Sequence, residues 1–116
     1  MLLDDYFHRG EFVCPCGCGF DTVDAELLKI LKDVRVFFDK PVVIYSGCRC
    51  IVHNTKVDGA FDSQHLRGRA ADFIVVDVPV KDVQRYVLDK YPDRYGIGTY
   101  QTFTHIDSRT VGPARW

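Results

Sequence analysis

Ser63-Gln64-His65-Leu66-Arg67-Gly68-Arg69-Ala70-Ala71-Asp72-Phe73-Ile74-Val75-Val76 is the stretch on which the reading of this chain turns. Ala70 to Val76 is a short apolar run of the kind that forms a buried strand, yet Asp72 stands in its first half. An unpaired carboxylate buried there would cost several kcal/mol, and a neighbouring cation removes that penalty. His65 stands just before the strand, and Gly68 lets the chain turn closely past the same place. Downstream, Phe103-Thr104-His105-Ile106-Asp107 puts a second histidine on a neighbouring strand. Two imidazoles and one carboxylate form a three-ligand set that leaves a fourth tetrahedral position for water. Other readings stay open from these residues alone. Backbone carbonyls can satisfy both rings, and Asp72 can pair with Arg67 or Arg69.

Working outward, Asp24 can cap a helix, with Val23 and Leu28 as its hydrophobic staple. Leu27, Leu28, Ile30, Leu31, Val34 and Phe38 recur at helical spacing until Lys40-Pro41 stops the run. Pro41 to Tyr45 reads as a buried strand, and Ser46 to Gln64 as a long polar loop, a length that usually signals function or disorder. Pro79 opens a second helix whose face is Val80, Val83, Tyr86 and Val87, and Pro92 ends it. Gly96 to Tyr100 and Phe103 to Asp107 form a hairpin, and Val111 to Trp116 a closing loop. Residues 1–22 look irregular, being rich in Cys and Gly. The expectation is a single α+β domain over residues 1–116, with a small antiparallel sheet and two main helices.

Composition narrows the function classes. The 116 residues carry 15 Lys plus Arg against 16 Asp plus Glu, so the basic excess of a nucleic-acid binder is missing. No run approaches the ~20 apolar residues of a membrane span. The start, Met1-Leu2-Leu3-Asp4-Asp5-Tyr6, lacks the basic-then-apolar order of a signal peptide, so the expectation is a soluble chain, cytoplasmic as synthesised. Five cysteines, Cys14, Cys16, Cys18, Cys48 and Cys50, are an odd count that argues against a disulfide framework. Four thiolates drawn from both clusters would suffice for a structural zinc, but the spacing is not that of a zinc ribbon. The reading adopted is reduced thiols in a Gly-rich loop.

The ordered motifs add a resemblance. Ser-x-His-x-x-Gly-x-Ala-x-Asp at Ser63 to Asp72, then His-x-Asp at His105 to Asp107, resembles the zinc D-Ala-D-Ala carboxypeptidase family. These are the LAS-type peptidoglycan metallopeptidases, with the hedgehog/DD-peptidase fold. Ser46-Gly47-Cys48-Arg49 resembles that family's Ser-Gly-x-Arg loop, and His53-Asn54 follows as in its phage and bacterial members. Gly112-Pro113-Ala114-Arg115-Trp116 resembles the tail of the small cell-wall endopeptidase branch.

The resemblance implies that His65, Asp72 and His105 bind Zn2+, and that Arg49 holds a substrate carboxylate or carbonyl, a task suited to its planar fork. Relatives carry an acidic residue three positions before the last ligand, or a histidine two before it. Here Thr102 and Phe103 stand there, and neither takes a proton from water. Asp107, on the same strand face as His105, is the nearest carboxylate; it either activates the water or orients a ligand imidazole. Asp107 and Arg49 are thus the expected catalytic pair. Ser63 is expected to shape its turn, Gln64 to lie near substrate, His53 to anchor its loop and His8 to face solvent. Tyr100 and Trp116 read as core or rim aromatics. The implied activity is hydrolysis of peptide bonds in peptidoglycan stem peptides or cross-links, of carboxypeptidase or endopeptidase (endolysin) type. The alternative is a zinc-bearing module of the same fold without turnover, such as a phage virion component. The implied partner is a peptidoglycan peptide at the cell wall, and a phage-encoded chain fits.

Overall fold

The apolar run that carries Asp72 is strand β2 (Ala70–Val75), and it lies inside the sheet rather than at an edge. In the computed structural model, which describes residues 2–116, β2 pairs antiparallel with β1 (Val42–Ser46) on one side and β4 (Thr104–Asp107) on the other. β3 (Gly96–Thr99) pairs antiparallel with β4, and β5 (Ala114–Arg115) runs parallel to β3. The strand order is β1-β2-β4-β3-β5.

Strand parity divides the sheet into two unlike faces. Ala71, Phe73 and Val75 of β2, with Ile97 of β3 and Ile106 of β4, turn into the core. That face is covered by α1 (Ala25–Phe38), through Leu27, Ile30, Leu31 and Val34, and by α3 (Val80–Lys90), through Val83 and Val87. Both helices sit where the apolar periodicity places them. Asp24 caps α1 by accepting from the Leu27 amide at 3.3 Å, and Asp39 closes it in a left-handed conformation at φ 52°. The opposite face carries Asp72, His105 and Asp107.

The fold is α+β as expected, with two additions. The long loop after β1 contains a short helix, α2 (Ile51–Lys56). It has no apolar stripe to announce it, since Ile51 and Val52 stay exposed and only Asn54 is buried. The tail supplies β5 where a loop was expected; two residues are too short to show alternation. Residues before α1 are mostly irregular, with a 3-10 turn at Arg9–Phe12, yet Phe7 and Phe12 are buried in the main core. Among the described residues, no helix is long and apolar enough to cross a membrane.

Candidate metal centre

Register performs the first step of assembly. Asp72 lies directly opposite His105 across the β2–β4 pair, so both side chains leave the same face. His65 comes from the 3-10 turn Gln64–Arg67 just before β2. Ser63 caps that turn, its hydroxyl accepting from the His65 amide at 3.2 Å, and Gly68 closes it at φ 66°, a conformation open to glycine at little cost. One donor atom each from His65, Asp72 and His105 fall within 4.8 Å of one another.

Each imidazole has one nitrogen fixed from behind. His65 Nδ1 lies 2.5 Å from the Gly47 carbonyl, which can only accept, so Nδ1 carries the proton. That leaves the Nε2 lone pair aimed at Asp72 Oδ2, 3.3 Å away. This buried nitrogen has no hydrogen-bond partner. An orphaned lone pair facing a carboxylate is an arrangement that only a cation or an extra proton relieves. His105 is held between two acceptors: Nδ1 is 2.9 Å from Asp72 Oδ1, and Nε2 is 2.7 Å from Asp107 Oδ2. Burial works against a charged His105 ring, but the bonds to Asp107 and Asp72 outweigh it and its pKa lies above the ordinary value. Burial likewise opposes the Asp72 charge, and the two histidines more than offset it, holding that carboxyl well below the usual range.

Asp107 stands on the far side of His105. It is fully buried, with Arg109 Nε and Nη2 donating to its two oxygens at 2.7 Å each and the Gly96 amide at 3.1 Å. Burial opposes its charge, and Arg109 and His105 together hold its carboxyl far below the ordinary range. Arg109 escaped the sequence reading, although its spacing of two from Asp107 is the signal that places both on one side of an extended chain. Gly47 stands in the Ser46–Arg49 motif, but its part as acceptor is played by a backbone carbonyl, which no side chain announces.

The donors open onto a cleft of about 500 Å³ lined also by Arg49, Asp58, Gln64, Tyr100, Phe103 and Trp116. Arg49 Nε donates to Ser46 Oγ at 3.3 Å, and Nη1 to Asn54 Oδ1 at 3.0 Å. Its Nη2 is 3.7 Å from Asp72 Oδ2. Burial lowers its pKa against the pull of Asp72. Tyr100 and Trp116 are rim aromatics, the indole N–H donating to the Tyr100 hydroxyl at 2.8 Å. Phe103 stacks on Tyr100 with ring centroids 4.5 Å apart, and Thr102 is exposed on the turn. His8 is exposed, and His53 lies on α2, outside the cleft lining.

The donor set fits a divalent zinc-like ion: two imidazoles and one carboxylate, each ring steadied by a partner on its other nitrogen. Three protein donors beside an open cleft are the pattern of catalytic rather than structural metal centres. The chain belongs to the peptidase M15 family, whose model matches residues 5–107. Membership makes it a hydrolase of the metallopeptidase class. No curated protein matches it.

Proposed function

We propose that this chain is a zinc-dependent peptidase that cleaves peptide bonds in peptidoglycan stem peptides or cross-links, with His65, Asp72 and His105 as the metal ligands. The observation that carries the reading is the buried, unpartnered Nε2 of His65 facing Asp72 at the floor of a cleft. Bound there, zinc would supply a Lewis acid for the scissile carbonyl and for the attacking water. The chain's own residues do the rest. The Gly47 carbonyl fixes the His65 tautomer that presents a lone pair inward, and Asp107, facing His105 Nε2, leaves Nδ1 of that ring as the nitrogen that would give up its proton to bind the metal. Arg49, braced by Ser46 and Asn54, offers its remaining N–H groups to a substrate carboxylate or carbonyl, as its fork geometry suits. Of the two roles open to Asp107, we assign it the orienting one, because both its oxygens are occupied and His105 separates it from the cleft. The peptidoglycan substrate rests on the Ser46–Arg49 loop and the Gly112–Trp116 tail, which resemble those of cell-wall peptidases.

One observation favours the second reading, a zinc-bearing module without turnover: Thr102 and Phe103 place no proton acceptor at the turn beside His105. A single digest separates the two. Purified peptidoglycan incubated with the zinc-loaded chain is expected to release new fragments visible by mass spectrometry. Free D-alanine would mark a carboxypeptidase, and split cross-links an endopeptidase. His65→Ala is expected to abolish both products and most of the zinc bound at this centre. A zinc-loaded wild-type chain that releases nothing overturns the enzyme and leaves the module.

A further inference from the structure

Four of the five cysteines meet in space. Cys14, Cys16 and Cys18 lie on the loop after the 3-10 turn Arg9–Phe12, and Cys50 caps α2. Their sulfurs all fall within 4.8 Å of one another. Cys14 and Cys16 are 3.5 Å apart, Cys16 and Cys50 3.6 Å, and Cys14 and Cys50 3.8 Å. A disulfide needs about 2.05 Å, and all five cysteines are free. Four thiolates bound tetrahedrally at ~2.3 Å from one zinc ion stand about 3.8 Å apart. The measured edges therefore suit a shared ion far better than a covalent pair.

Two further observations point to charged sulfurs. The Cys50 amide donates to Cys14 Sγ at 3.5 Å, and the His53 amide to Cys50 Sγ at 3.4 Å. Such bonds favour a thiolate over a thiol. The loop itself has little else to fix it. Between Cys14 and Gly19 only Cys14 is buried, and Gly17 and Gly19 both stand at φ 86°. A segment this small-residued, ordered without apolar packing, is of the kind that metal ligation holds.

We propose that Cys14, Cys16, Cys18 and Cys50 bind one zinc ion as a tetrathiolate centre, distinct from His65, Asp72 and His105. The fifth cysteine is excluded by its partners: Cys48 Sγ lies 3.1 Å from the Phe12 carbonyl and 2.9 Å from that of Phe20. Arg49 sits between Cys48 and Cys50 in sequence. The thiolate centre thus ties the N-terminal loop to the segment that presents Arg49 to the cleft, and its role is to hold that loop. All-thiolate ligation leaves no open corner, so the ion is structural.

The test uses the reduced, metal-stripped full chain and cobalt(II) alone. The wild type, and a His65→Ala/His105→Ala variant that lacks the other centre, are each expected to develop an intense sulfur-to-cobalt charge-transfer absorption that saturates at one equivalent of thiolate-bound metal. In the double-histidine variant, elemental analysis after zinc loading is expected to find one zinc per chain. Cys16→Ser/Cys18→Ser, checked for native circular dichroism, is expected to lose the absorption while the wild-type spectrum needs no substitution to be read. A folded, reduced wild-type chain without the charge-transfer band overturns the proposal, as does a double-histidine variant that holds no zinc after loading. Because the band reports sulfur ligation only, it stands or falls independently of the peptidase centre.

Discussion

Between Asp72 and Asp107, the His105 ring has a carboxylate on each nitrogen, and the consequence for the proposed ligation is a competition between a proton and a metal ion. The folded-state pKa of His105 is raised above its ordinary 6.5. Its bound proton therefore stabilises the metal-free chain fully below pH 6.5, and that contribution fades as pH climbs through the raised value. Metal ligation needs Nδ1 free of that proton, so zinc affinity at this centre is expected to rise with pH across the same window. Asp107→Asn removes one of the carboxylates that hold the proton and the one that orients the ring. The variant is expected to bind zinc about 10–100-fold more weakly, with its rise in affinity displaced to lower pH. Competition titration against a chromophoric chelator measures both. Unchanged affinity with a 10²–10⁴-fold loss of turnover would instead make Asp107 the base. At this scale much was legible: strand parity places Asp107 beside His105, and the cost of a carboxylate in an apolar strand singles out Asp72. The acceptor for His65 was not legible, because it is the carbonyl of Gly47, eighteen residues away in sequence.

Among the elements, those whose stability comes from an apolar stripe were readable and those fixed by tertiary bonds were not. α1 and α3 announce themselves by period, β1 by its β-branched run and β2 by its apolar one. α2 is six residues long, below what isolated helices sustain. It is held by Cys50 at its start and by Asn54, whose side chain donates to Ala60 and accepts from Arg49. The start of α1 combines both kinds of support. Asp24 accepts from the Leu27 amide at 3.3 Å and from Ser108 Oγ at 2.7 Å, while its own amide donates to the Gly68 carbonyl at 2.8 Å. One residue thereby joins the helix start, the turn before β2 and the chain just after β4. Asp24→Ala is expected to cost about 1–2 kcal/mol, the upper part of the range for a lost cap, read from the denaturant midpoint. The metal donors are not among its partners, so zinc affinity is expected to hold. A loss of affinity larger than the loss of stability would show that α1 and the metal centre are coupled through Gly68.

The whole molecule closes at its C-terminal end. An uncovered β3 would present a row of unpaired backbone groups, a liability for association. β5 covers it: Thr99 donates to the Trp116 carbonyl at 2.7 Å and Trp116 to that of Ile97 at 3.1 Å. The Arg115 guanidinium adds bonds to the carbonyls of Tyr91 at 2.6 Å and Tyr95 at 2.8 Å. The same tail reaches the proposed metal centre, with the Trp116 ring 4.8 Å from that of His105 and the Arg109 guanidinium 5.3 Å over the indole. Edge protection and the approach to His105 therefore meet in residues 114–116, and two variants separate them. Deleting residues 114–116 removes these bonds, each worth about 1 kcal/mol, and opens the edge, so the melting temperature is expected to fall by roughly 10 °C or more and concentration-dependent association to appear in light scattering. Trp116→Ala keeps the backbone pairing and takes away the indole that covers His105, bonds the Tyr100 hydroxyl and lies against Arg109. It is expected to lose less thermal stability than the deletion yet release zinc from the His65–Asp72–His105 centre faster, followed with a fluorescent chelator. Equal zinc release by wild type and Trp116→Ala would confine the tail to edge protection, and the indole would then belong to the cleft rim alone.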